Sequence, residues 1–238
     1  MNRSLVLCAG IALLGLAAQA AVIPINSEPS DNSIGLNASA EPILSYTAQT
    51  TLIVGDDNFA YNKGDNCAVV VFALPDLGGE TISAASLSVD LYTGYPGGVN
   101  DWPKSLNLYG VRYGSSSAVL TSDFAPVSAD PGNGTLIQLG IFTMPSSGVY
   151  AWDSYETDAA GDAALAAWIA DQYAAGAQAG DYVFLRFNLD KPTANSVQIA
   201  SANSVDHNIP VLTITTIPEP ATLGLLALGA LTALRRRA

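Results

Sequence analysis

Carboxylates dominate the side chains of this sequence that could carry out chemistry, with 21 Asp and Glu against one His and two Cys. Glycoside cleavage needs two such acids, one on each side of the sugar bond. The acids that stand near one another or beside an aromatic residue are Asp56, Asp57, Asp101 (next to Trp102), Asp153, Glu156 and Asp158. Most of them lie in turn-like segments, where Asp tends to bond its own backbone. Glycan cleavage is therefore only a third hypothesis for this chain.

No other catalytic arrangement is visible in the sequence. The one histidine, His207, lies in the turn-like Asp206-His207-Asn208, where an imidazole is usually solvated. A serine nucleophile would need that imidazole, and the chain has no Gly-x-Ser-x-Gly turn. So few His and Cys do not make an ordinary zinc site, and no glycine-rich phosphate loop occurs. We expect no enzyme activity, no catalytic residue and no required cofactor.

Calcium is the metal that the sequence brings into consideration. Carboxylate and amide oxygens, which Ca²⁺ prefers, flank one loop after a predicted strand, at Asp56, Asp57, Asn58, Asp65 and Asn66. Their spacing is not that of an EF-hand. An acidic surface loop explains the same residues, so the metal content is left unassigned.

Aromatic side chains suggest a different function, the binding of carbohydrate, because sugar faces stack on rings while polar side chains bond the hydroxyls. Two groups of aromatics lie in polar surroundings, Tyr92, Tyr95, Trp102 and Tyr109 in one and Tyr150, Trp152 and Tyr155 in the other. We take Trp102, Tyr95 and Trp152 as the candidate ligand-facing residues. The alternative is that these rings only cover the ends of the core.

The elements that must position these residues are mostly strands. Val183, Leu185, Phe187 and Leu189 alternate with polar or aromatic residues, which predicts a strand with one face on the core and the other toward solvent or a second layer. Further strands are predicted at 51–54, 68–73, 85–92, 106–113, 135–142, 197–200 and 211–215, separated by Gly/Pro/Asp turns. One Ala-rich helix is predicted from about 162 to 175, with Trp168 in the core. The pattern favours a mainly β, jelly-roll-like sandwich with one short helical insertion.

Both ends of the chain have their own composition. After Arg3, an apolar run from Leu5 to Ala18 leads to Ala18-Gln19-Ala20, the layout of a secretory signal peptide cleaved after Ala20. The run of about 14 residues is shorter than the roughly 20 that span a bilayer, which favours a cleaved signal over an anchor. Removal would leave Cys67 as the one thiol, so no internal disulfide could form.

The other end reads Pro218-Glu219-Pro220, then an uncharged stretch over 221–234, then Arg235, Arg236 and Arg237. Arginines directly after an apolar helix hold that end on the cytoplasmic side. These three ordered parts resemble a PEP-CTERM sorting tail. The resemblance implies export, transient membrane retention through a short hydrophobic helix, and processing near the Pro-Glu-Pro by an exosortase-type transpeptidase in bacteria that make exopolysaccharide.

The segment between the two ends is acidic. The whole chain has a net charge of −12, and without the charged residues of its two ends it has 20 acids and 5 bases, or about −15. That charge excludes a nucleic-acid partner, whose binding rests on Lys and Arg. The order of the predicted strands also resembles DNRLRE-type β-sandwiches, which are related to carbohydrate-binding modules. The resemblance rests on residues 70–75, 82–87, the Trp168 helix, 181–186 and 209–214.

The sequence thus predicts four parts: a signal peptide (1–20), an N-terminal extension with a first strand (21–48), the β-sandwich domain (49–216) and the sorting tail (217–238). The leading hypothesis is an exported, non-enzymatic protein of the cell surface or extracellular matrix, associated with exopolysaccharide. It would be held at the membrane transiently by its C-terminal helix. A secreted carbohydrate-binding module is the alternative.

Overall fold

The computed structural model describes residues 20–37, 39–44, 49–55, 66–92, 105–125, 134–143, 151–190 and 196–218. They form twelve strands, one α-helix and a single 3₁₀ turn. The strands are β1 Ala21–Asn26, β2 Asn32–Leu36, β3 Pro42–Leu44, β4 Thr51–Gly55, β5 Cys67–Ala73, β6 Glu80–Tyr92, β7 Ser105–Gly114, β8 Thr135–Thr143, β9 Trp152–Glu156, β10 Tyr182–Leu189, β11 Ser196–Ala200 and β12 Val211–Pro218; the helix is α1 Ala159–Ala174 and the 3₁₀ turn is Thr121–Asp123.

The strands form two six-stranded antiparallel sheets. The first has the order β1-β12-β6-β11-β4, with β9 also paired to β6, and the second has the order β3-β2-β5-β10-β7-β8. Ser88 of β6 pairs with Val211 of β12 and with Glu156 of β9, so these two strands lie on opposite edges of β6. The mainly β sandwich predicted from the alternation is therefore confirmed. The segment 21–48, for which one first strand was predicted, contains three, β1, β2 and β3, and β9 lies outside the predicted strand ranges.

The main core lies between the sheets. Val183, Leu185, Phe187 and Leu189 of β10 belong to it, as their alternation predicted. The opposite face of β10 is also buried, because Phe184 packs with Val119 of the segment 115–125 in a second, smaller cluster. The sequence predicted that this face of β10 meets either solvent or a second layer. In the structure the segment 115–125 covers it as a second layer.

Helix α1 packs into the main core through Leu165, Trp168 and Ile169. It begins three residues earlier than the sequence predicted, because the Asp158 carboxylate caps it by accepting hydrogen bonds from the N–H groups of Ala160 and Gly161. Trp168 is a core residue as predicted, only 5% exposed. Its indole lies against β7 where the sequence has Gly110, and a Cβ at that position would come within 2.2 Å of the ring.

Candidate functional site

The two ends of the folded domain lie at one corner of the first sheet. Strand β1 pairs antiparallel with β12, and Ala21, its first residue, lies opposite Thr216. The exposed Ala20, the predicted signal-cleavage residue, directly precedes β1. At the same corner Pro218, the last residue of β12, lies opposite Glu80, the first residue of β6. We call this end of the sheet the exit corner.

The ladder between β12 and β6 is interrupted just before the exit corner. Thr215 pairs with Ala84 but Thr216 pairs with Ile82, so Ser83 is an extra residue, a β-bulge. The Ser83 hydroxyl donates to the Thr215 carbonyl oxygen at 3.1 Å. Beyond the bulge only three pairs remain, and they involve Thr216, Ile217 and Pro218. We call these three residues the strand end.

Thr216 is the best-held residue of the strand end. It is fully buried, and its hydroxyl donates a hydrogen bond to the Glu80 carboxylate. Ile217 is 43% exposed. Among the strands that the structure describes, β1 pairs only as far as Thr216, and Ile217 and Pro218 pair with β6.

Of the predicted sorting residues, the structure places Pro218 inside β12, half-buried. Glu219, Pro220, Arg235, Arg236 and Arg237 lie outside the described residues, as does Ala18 of the predicted cleavage motif. Within the part of the chain that the structure describes, no helix is long and apolar enough to cross a membrane. The predicted helix over 221–234 is not within that part.

An aromatic stack lies at the opposite end of β6 from the exit corner. Tyr92, the last residue of β6, pairs with Trp152 of β9, with ring centroids 5.5 Å apart. His207 stacks on Trp152 with centroids 3.8 Å apart and an interplanar angle of 18°. The sequence predicts a solvated His207. It does not indicate the contact with Trp152, because the two residues are 55 positions apart in the chain. Trp102 and Tyr95 lie outside the described residues.

Asp90 holds the aromatic stack in place. It is 6% exposed, and its carboxylate accepts hydrogen bonds from the Ser154 hydroxyl at 2.5 Å and the Asn208 backbone N–H at 2.8 Å. Ser154 lies two residues from Trp152 and Asn208 directly follows His207, so one buried carboxylate fixes both partners of the stack. Asp153, which follows Trp152 in the chain, and Asp206, which precedes His207, are both exposed. The stack thus presents half-buried aromatic rings.

A buried charged cluster lies on the outer face of the second sheet. The Arg112 guanidinium binds the Asp123 carboxylate at 2.6 and 2.8 Å and lies 3.6 Å over the Phe184 ring. Arg186 is fully buried and donates to the Asn188 side-chain oxygen at 2.8 Å and the Asp123 carbonyl at 2.9 Å. Burial lowers the pKa of Arg186. The cluster ties the segment 115–125 to the sheet, which is a structural role.

Asp31 is a further buried acid that the sequence did not indicate. It is 2% exposed and accepts hydrogen bonds from the backbone N–H groups of Val71 at 2.7 Å and Ala202 at 3.2 Å. Burial raises the pKa of its carboxyl to about 7. Val71 belongs to the second sheet, and Ala202 follows β11 of the first sheet, so Asp31 links the two sheets.

Three of the acids considered for catalysis lie in the described residues, and two of them, Asp153 and Asp158, have hydrogen-bond partners in their own local structure, while Glu156 is exposed on β9. Asp158 caps α1, and Asp153 accepts a hydrogen bond from the N–H of its neighbour Ser154 at 2.9 Å. The described residues contain no group of three or more His, Cys, Asp or Glu able to hold a metal. Of the calcium candidates, only Asn66 is described; it is buried and donates to the Gly55 carbonyl at 2.8 Å. Asp56, Asp57, Asn58, Asp65 and Asp101 lie outside the described residues.

The thiol predicted to remain after signal removal lies inside the second sheet. Cys67 is fully buried as a free cysteine in β5, and burial raises the pKa of its thiol to about 11. A protonated, buried thiol is a poor nucleophile and a poor metal ligand. Cys67 therefore serves as a small apolar residue of the second cluster.

Comparison with known families finds the PEP-CTERM protein-sorting motif over residues 216–237. The match begins at Thr216, the first residue beyond the β-bulge. The motif marks an exported protein that an exosortase sorts and processes at the membrane. No curated protein matches the chain. The resemblance of the β-sandwich domain to DNRLRE-type domains finds no support in these comparisons.

Proposed function

We propose that this protein is a non-enzymatic component of the bacterial cell surface or exopolysaccharide matrix, delivered there by its sorting tail. The observation that carries the proposal is the sorting motif over residues 216–237, which begins within a strand of the folded domain. The folded product that is sorted would be the acidic β-sandwich.

The placement of the exit corner supports a display role. The 13 residues of β6 span about 40 Å at ~3.3 Å per residue, with the exit corner at one end and the aromatic stack at the other. A domain held by its C-terminal tail would present Tyr92, Trp152 and His207 away from the membrane. That is where a matrix partner would be met.

The partners of the described acids support the absence of catalysis. Asp31, Asp90, Asp123 and Asp158 each accept hydrogen bonds that hold backbone segments together. A catalytic pair instead needs two acids facing a substrate cleft at a set separation. We therefore treat these four acids as structural.

A secreted carbohydrate-binding module is the second candidate, and the aromatic stack is the observation that favours it. Trp152 is half-buried and stacks with His207, and such partly exposed rings suit the apolar faces of sugars. The domain charge of about −15 would repel polyanions, so we propose a neutral glycan as the ligand.

The sorting proposal is tested by deleting residues 219–238 while keeping all of β12. The full chain and the truncated chain are expressed in a bacterium with an exosortase-type enzyme and are quantified in membrane, surface and medium fractions. We expect the full chain at the membrane and surface, and the truncated chain almost entirely in the medium or periplasm. An unchanged distribution would refute the proposal.

A further inference from the structure

We infer that the strand end, Thr216–Pro218, must detach from β6 before the sorting tail can be processed, and that Glu80 is the positioning residue that controls this detachment. The inference rests on the proposed sorting function and specifies how the folded domain regulates it. It concerns the accessibility of the processing site and not the cleavage chemistry.

The first support is the lack of a spacer between the domain and the sorting motif. Pro218 is the first residue of the Pro-Glu-Pro and also the last paired residue of β12, opposite Glu80. A transpeptidase has to bind the residues that flank the bond it breaks. Residues 216–218 cannot enter an enzyme's site while their backbone is paired with β6 and the Thr216 side chain is buried.

The second support is the β-bulge at Ser83, which marks where detachment would stop. Five pairs, from Val211 to Thr215, lie on the domain side of the bulge, and three lie beyond it. Bulges locally disrupt the ladder, so the three outer pairs can open as a unit while the inner five stay closed. Pairing with β1 also ends at Thr216. Within the described strands, Ile217 and Pro218 are therefore held by β6.

The third support is the hydrogen bond from the buried Thr216 hydroxyl to the Glu80 carboxylate. It is the side-chain bond shown to cross between the strand end and β6. A hydrogen bond to a charged acceptor stabilises more than a neutral one does. If this hydrogen bond contributes about 1.4 kcal/mol, its loss would raise the fraction of chains whose strand end is detached from β6 by about tenfold. The processing rate would rise by the same factor.

The decisive experiment locks the strand end onto β6. Ile217 lies opposite Thr81, and both are exposed, so the full-length Thr81→Cys/Ile217→Cys variant can form a cross-strand disulfide on the surface. The control is Ser86→Cys/Thr213→Cys, a paired position on the domain side of the bulge. Both variants are followed by mass spectrometry for conversion of full-length to shortened chain, and disulfide formation is verified by thiol alkylation.

We expect the oxidised Thr81→Cys/Ile217→Cys chain to stay unprocessed and to be processed after reduction, whereas the control is processed at the wild-type rate in both states. Recovery on reduction shows that the variant is folded. Processing of the locked chain at the wild-type rate would overturn the inference while leaving the sorting function intact. A wild-type chain that is never shortened would instead overturn the sorting function.

A second variant tests Glu80 separately. Glu80→Gln should speed processing severalfold, because the neutral amide oxygen accepts a weaker hydrogen bond from Thr216 than the carboxylate does, and the gain should vanish when the strand end is locked by the oxidised cysteine pair. Glu156→Gln, on the exposed edge strand β9, serves as the matched control and should leave the rate unchanged. A faster Glu80→Gln chain whose gain persists in the locked background would contradict the positioning role.

Discussion

Ala21 lies directly opposite Thr216, so the first residue after the predicted signal peptide and the first residue of the sorting motif are neighbours in one sheet. Antiparallel pairing of the first strand with the last produces this arrangement. Both apolar ends of the chain therefore leave the domain at the exit corner. The aromatic stack lies at the other end of β6.

Replacing Trp152 should weaken glycan binding if the aromatic stack is the contact surface. Trp152→Ala removes the indole on which His207 stacks, and the loss of such a ring contact is worth about 1 kcal/mol, or roughly a fivefold rise in Kd. Affinity electrophoresis in gels containing neutral polysaccharide measures this as reduced retardation. Leu139→Ala, at a 66% exposed residue of β8, is the control and should migrate like the wild type. Equal retardation of all three chains would rule out the stack as the contact.

The unfolding free energy should decrease as pH rises because of Asp31. The folded protein keeps this proton up to pH about 7, whereas the unfolded chain loses it near 3.8, so folding binds a proton between these values. By linkage, this contribution is fully present below pH 3.8 and is lost as pH rises to about 7. Urea titrations should show the decline, on the order of a few kcal/mol in all.

The Asp31→Asn variant should lack that decline, since its side chain does not titrate. It should also be less stable than the wild type in acid, because the amide group would place a donor against the Ala202 N–H. Asp206→Asn, at an exposed loop residue, is the control and should keep the wild-type slope. A slope that survives in Asp31→Asn would assign the effect to other groups.

Breaking the buried ion pair between Arg112 and Asp123 should destabilise the domain strongly. Asp123 is 1% exposed, and Arg112→Ala would leave its carboxylate buried without that partner, at a cost of about 3 kcal/mol. Thermal unfolding measures the loss, and limited proteolysis should show faster cutting within 115–125. Arg112→Lys keeps the charge but not the two-point contact, so an intermediate loss is expected. Wild-type stability in Arg112→Ala would contradict the structural role of the pair.

Gly110→Ala should destabilise the packing of helix α1. Its Cβ would come within 2.2 Å of the Trp168 indole, so the ring or the strand has to shift, which costs about 1–3 kcal/mol. Chemical denaturation of the single variant measures this cost. Gly110→Ala/Trp168→Phe gives the methyl group room and should recover part of the stability. A double variant less stable than the sum of both single variants would argue against a simple steric clash.

Elements with a local signal could be predicted from the amino-acid sequence. Alternation of apolar residues predicted β10 and most other strands, and the helical spacing around Trp168 predicted α1. The Pro218-Glu219-Pro220 and terminal arginines indicated the sorting motif, because its parts are contiguous in the chain. Strand β9 was not predicted, since polar residues make up much of it, and the segment 21–48 has three strands where one was predicted.

The contacts between residues far apart in the chain were not predictable, because they arise from the fold. The pairing of Ala21 with Thr216, the bond from Thr216 to Glu80 and the stacking of His207 on Trp152 join residues that are tens to nearly 200 positions apart. Strand order and register set these contacts, and both depend on the packing of two whole sheets and not on any local segment. For the same reason nothing in the sequence marks Asp31 and Asp123 as buried acids, although the fold buries both.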